Sequence, residues 1–103
     1  MLAFVSAVEP LRVANRLSGR NLYSWQVITH DGAPVRAANG MQQHADAAID
    51  QVKSAQLLLV LGQHDQHQHR DTIVLNWLRD LDRRGSILGG LDTGAYVLAQ
   101  AEL

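Results

Sequence analysis

The chain contains no cysteine. Neither a disulfide framework nor a thiolate zinc site can therefore be built from it, which agrees with a reducing compartment and makes a cytoplasmic location the expectation. Long apolar runs are also missing. The N-terminus starts Met1-Leu2-Ala3-Phe4-Val5, but Glu9 and Arg12 interrupt it well short of the roughly 18 apolar residues that a membrane span requires. A basic leader and a small-residue cleavage site are absent too, which argues against a signal peptide. Charge of one sign is scarce: the formal net charge is −1 and the pI about 6.5. Such a balance gives no long-range field for phosphates or anionic lipid, so this segment itself is not expected to bind DNA or a membrane. No composition shift, internal repeat or low-complexity linker divides the 103 residues. What is present is ordinary globular composition, 47% hydrophobic and 18% charged, enough apolar side chain for one core.

Hydrophobic periodicity orders the chain into alternating elements. From Leu2 to Leu17, Phe4, Val8, Leu11 and Ala14 recur at helical spacing, and Ser18-Gly19 supplies the stop. Pro10 lies inside this helix, where a missing N–H predicts a kink or a break. The alternation Tyr23, Trp25, Val27, Thr29 predicts a strand, closed by His30-Asp31-Gly32. Val35 to Ala37 and Met41 to His44, joined through Asn39-Gly40, read as a short hairpin. Asp46 is placed to cap a helix reaching about Lys53. The unbroken run Leu57 to Leu61, ending at Gly62, suits a central parallel strand buried on both faces. A polar, histidine-rich stretch from Gln63 to Arg70 leads into an amphipathic helix from Asp71 to Arg84. Its expected buried face is Ile73, Val74, Trp77, Leu78 and Leu81, with Arg79, Asp80, Asp82, Arg83 and Arg84 toward solvent. Gly85 ends it. Ser86 to Leu91 then reads as another short parallel strand, and Thr93 to Ala101 as a helix that begins without an intervening loop.

This alternation predicts an α/β fold, a three-layer sandwich with a mainly parallel sheet of flavodoxin-like kind. Residues 1–103 form one unit, expected to be incomplete at both ends, because the chain opens on a helix and stops as the helix after residue 91 finishes.

The turn Gly90-Leu91-Asp92-Thr93-Gly94 concentrates the chemistry. A strand that enters a helix directly holds its turn residue in a strained conformation and needs small neighbours, here Gly90 and Gly94. The turn residue projects at the carboxyl end of the sheet, beside free helix amides, where open α/β sheets bind ligands. That residue is Asp92. Its carboxylate has three readings. It caps the following helix, it contacts a cationic or hydroxyl-bearing ligand, or it acts as a covalent nucleophile, for which no base or oxyanion hole is evident.

Three stretches resemble the glutamine amidotransferase-like sensor domains at the N-terminus of AraC-type transcriptional regulators, within the wider PfpI-like superfamily. They are Ser6 to Arg16, with its E-P-L-R-x-A-N run; Leu57 to Gly62; and Gly89 to Ala99. Enzymes of that superfamily carry cysteine at the elbow, commonly followed by histidine. Here Asp92 and Thr93 occupy those positions, Ala3 falls near that of the supporting carboxylate, and Gln63 follows Gly62 where a second glycine is usual. The resemblance therefore implies a non-catalytic domain that senses a small amino-acid-like or quaternary-ammonium effector, with Asp92, Thr93, Glu9, Gly62 and Gln63 as ligand-binding candidates. No catalytic residue and no cofactor is implied. DNA would be bound only through a helix-turn-helix domain outside these residues, and pairing into a homodimer through helices is a further implication. The alternative is a PfpI-like hydrolase or amidase using Asp92.

Two other features compete with these. His64, His67 and His69 with Asp65 could ligate a metal, but they sit on a polar loop and match no fixed-spacing motif, so no metal site is assigned. Glu9 either lines the pocket or holds Arg12 or Arg16 on its own helix. Trp25 and Trp77 read as core residues.

Overall fold

The computed structural model describes residues 2–37, 39–61, 72–91 and 94–103. It is a mixed α/β structure in which short strands pair two by two. Helix α1 (Leu2–Ser18) runs through Pro10 undivided, so of the expected kink or break the break does not occur. Arg16 accepts from Gly19 at the C-terminus, where Gly19 takes a φ of 69°. Beyond it, Asn15 holds the departing chain with both ends of its amide. Its Nδ2 donates to the Tyr23 carbonyl and its Oδ1 accepts from the Tyr23 N–H, each at 2.9 Å.

The segment after α1 departs most from expectation. Only β1 (Ile28–Thr29) is strand, and Tyr23 and Trp25 lie exposed outside it. Trp25 is 40% exposed and so is not a core residue. The hairpin is present but brief: β2 (Val35–Arg36) pairs antiparallel with β3 (Gln42–Gln43), in the register Val35 to Gln43. Asp46 does not cap a helix. Its Oδ2 accepts from the Val27 N–H at 2.7 Å, and its own N–H donates to the Val27 carbonyl. These bonds guide the chain into β4 (Ala47–Ala48), which lies parallel to β1. A single 3₁₀ turn, Ile49–Gln51, replaces the expected helix, and Gln51 Oε1 accepts from the Ala48 N–H. An aspartate acceptor suits a free helix amide and a strand amide equally well, and here it serves the Val27 N–H.

The second half follows the sequence closely. Strand β5 (Leu57–Leu61), helix α2 (Thr72–Arg83) and strand β6 (Ile87–Leu91) form a βαβ unit, with β5 and β6 parallel from Leu57–Ile87 through to Leu61–Leu91. Helix α3 (Gly94–Gln100) packs on both strands and on α2. The core comprises Leu75, Leu78, Val97 and Ala101, with Leu58, Val60, Val74, Trp77 and Leu98 packed around it. Leu75 belongs to the buried stripe of α2, whereas Ile73 turns outward at 62% exposure, so the apolar face is rotated from the one read off the sequence. Arg79 is half-buried rather than solvated, because its Nε donates to the Ala101 carbonyl at 3.0 Å and ties α2 to the end of α3. Trp77 Nε1 donates to the Val52 carbonyl at 2.8 Å. Buried Ser86 donates to the Ala55 carbonyl at 2.6 Å where β6 begins.

Alternation along β5 and β6 divides the pair into unlike faces. Leu58 and Val60 meet the helices. Leu57, Leu59 and Ile87, on the other face, remain 56%, 41% and 68% exposed, so β5 is covered on one face among the described residues rather than on both.

Candidate ligand site at the strand-to-helix turn

The site is framed by the carboxyl ends of two neighbouring parallel strands. Leu61 and Leu91 are the last pair of the β5–β6 ladder, and the chain continues from them into Gly62 and Asp92. The residues that precede the two segments singled out for ligand contact are therefore neighbours at one end of the sheet. Asp92, Thr93, Gly62 and Gln63 themselves lie outside the described residues, as do His64, His67 and His69.

Packing around the turn explains its glycines. Gly94 opens α3 and is buried directly against β5. A Cβ there would overlap the Val60 carbonyl oxygen and lie 2.6 Å from the Val60 carbonyl carbon. At Gly90 a Cβ would come within 2.8 Å of the Ala95 N and Cα. Neither position requires a left-handed conformation, so the need is for space. Their absence of side chain lets the first turn of α3 press onto the ends of β5 and β6. Gly89 differs, because its nearest neighbour, at 3.0 Å, is the flexible end of Leu59.

Glu9, the one described ligand candidate, projects from the exposed surface of α1 and is bound by Arg12, whose Nε lies 3.0 Å from both carboxylate oxygens. The pairing with Arg12 was one of the two roles the sequence allowed. The Arg12 hydrogen bond holds the Glu9 carboxyl below the ordinary glutamate range, and Glu9 raises Arg12 in return. A lowered carboxyl contributes above its unfolded pKa and loses that contribution as pH falls through the folded value. On a fully exposed helix surface the effect on stability is small. A shallow groove runs beside Glu9, and Val5, Ser6, Glu9, Pro10, Val13, Ala14 and Leu17 all come from α1, so among the described residues no second wall faces it. Asn15, which the sequence showed only as part of a motif, serves to anchor Tyr23.

Among the described residues no group of three histidine, aspartate or glutamate side chains could hold a metal ion. No described helix is long and apolar enough to cross a membrane.

No protein-family model matches the chain. Individual proteins do match it, over all of its length. It is 48% identical over 103 residues to the HTH-type transcriptional regulator CdhR of Pseudomonas aeruginosa, covering 30% of that protein. It is 37% identical to the HTH-type transcriptional regulator GbdR of the same species, covering 28%, and 33% identical over 104 residues to the HTH-type transcriptional regulator GlxA of Rhizobium meliloti, covering 32%. The chain thus spans about a third of the length of these curated relatives. In fold it resembles the crystal structure of a candidate transcriptional regulator from Vibrio parahaemolyticus, with a TM-score of 0.83 at 23% identity over 99% of this chain and 55% of that one. By these matches the 103 residues are similar over their whole length to one segment of HTH-type transcriptional regulators.

Proposed function

We propose that the chain is part of a non-catalytic effector-sensing domain of a transcriptional regulator, and that its ligand lies at the carboxyl ends of β5 and β6. The observation that carries this reading is the seating of Gly94 against Val60 in a chain 48% identical to an HTH-type regulator. That contact brings the first turn of α3 to the sheet end formed by Leu61 and Leu91, the kind of position at which open α/β sheets bind small molecules. Asp92, Thr93, Gly62 and Gln63 are the proposed ligand residues, and Glu9 joins them on the strength of the family resemblance. Replacement of the superfamily's nucleophilic cysteine by Asp92, with Thr93 in place of histidine, supports binding over hydrolysis.

A carboxylate at that position favours a cationic effector, of the amino-acid-like or quaternary-ammonium kind. The full domain is proposed to be a three-layer sandwich, with the apolar face bearing Leu57, Leu59 and Ile87 closed by further chain. Effector binding would bias the arrangement of this domain, or of a pair of copies, and so alter DNA occupancy through a helix-turn-helix domain elsewhere in the polypeptide. The location implied is cytoplasmic. A reporter assay on the full-length regulator tests the assignment: Asp92→Ala should abolish the response to effector while leaving the protein folded, and a response equal to wild type would remove Asp92 from the pocket.

A further inference from the structure

We propose that Asn39 is a site of spontaneous deamidation, at the tip of the β2–β3 hairpin. The reaction needs an asparagine followed by a backbone amide that can reach its side-chain carbon. A glycine there is the least obstructing successor, and Gly40 supplies it. Both residues are exposed. Asn39 Oδ1 accepts from the Met41 N–H at 3.0 Å, so a backbone donor already polarises the amide carbonyl that is to be attacked. When charge develops on that oxygen, the same donor stabilises it.

The step balances with water alone. Deprotonated Gly40 N attacks Asn39 Cγ and forms a five-membered imide. The Cγ–Nδ2 bond breaks, and Nδ2 leaves as ammonia after taking up a proton. Water then opens the imide at either carbonyl, giving aspartate or its β-linked isomer. One contact opposes attack: the Gly40 N–H donates to the Ala37 carbonyl at 2.9 Å. That bond closes a hairpin of only two residue pairs, which opens at little cost. The other asparagines are less favourably placed. Asn15 has both amide ends bound to Tyr23, Asn76 lies within α2 with its Oδ1 accepting from Arg79, and Asn21 precedes a leucine.

Incubating the purified protein at mildly alkaline pH and mapping peptides by mass spectrometry tests the proposal. The peptide spanning Asn39 and Gly40 should gain the mass of exchanging NH₂ for OH, appear as two chromatographic products, and do so faster as pH rises. Peptides with Asn15, Asn21 and Asn76 should stay unchanged over the same interval. Asn39→Gln, which must form a larger and slower ring, should lose the signal. Conversion of Asn39 only after denaturation, or at the same rate as the other asparagines, would overturn the proposal.

Discussion

Gly94 lies closer to the neighbouring strand than any residue with a side chain could. Its missing Cβ would collide with backbone, which cannot rotate away as a side chain can. Gly94→Ala should therefore destabilise the protein by about 1–3 kcal/mol or more, as overpacking of a dense interior does. Gly89→Ala meets only the mobile end of Leu59 and should cost far less. Urea unfolding of the two variants checks the difference, and equal midpoints would contradict the tight seating of α3. At this scale the sequence was informative where sterics alone decide. Gly90 and Gly94 were expected to be small because a strand meets a helix there, and the structure supplies the colliding atoms. Polar side chains were harder to place. Asp46, Asn15 and Arg79 each satisfy backbone groups distant in sequence, and only the folded chain shows which ones.

Among the elements, α2 and α3 with its following residue supply the buried side chains of the described core cluster. Leu78 is 1% exposed and sits at the middle of the α2 stripe. Truncating it to alanine should cost about 2–5 kcal/mol. The same change at Ile73, 62% exposed on the same helix, should fall within about 0.5 kcal/mol, and chemical denaturation of both variants reads the contrast. Strong periodicity made the βαβ unit legible: an unbroken Leu57–Leu61 run, a twelve-residue amphipathic helix and Gly85 as its stop all correspond to the structure. The first half was less so. Alternation at Tyr23, Trp25 and Val27 imitates a strand, yet no described strand pairs with Tyr23 or Trp25, and unpaired alternation does not build a sheet. Pro10 likewise promised a kink or a break, and α1 runs through it undivided.

For the whole molecule, the face of β5 and β6 that the described residues leave uncovered has the widest consequence. If a third layer covers it in the longer regulator, Leu59→Lys should destabilise that protein by several kcal/mol, as an unpaired buried charge does. A change within about 0.5 kcal/mol, the value for an exposed site, would show that the face remains in water. Of the region proposed to bind ligand, only the neighbouring strand ends at Leu61 and Leu91 can be compared with the sequence. Those strand ends follow from the order of elements, whereas the proposed ligand residues and the proposed effector rest on residue chemistry at Asp92 and on resemblance. Calorimetric titration of the full-length regulator with glycine betaine, carnitine and arginine-like compounds tests the central claim most directly. The account predicts saturable binding of at least one cationic compound, lost in Asp92→Ala. Absence of binding by all of them, or binding unchanged in that variant, would contradict it.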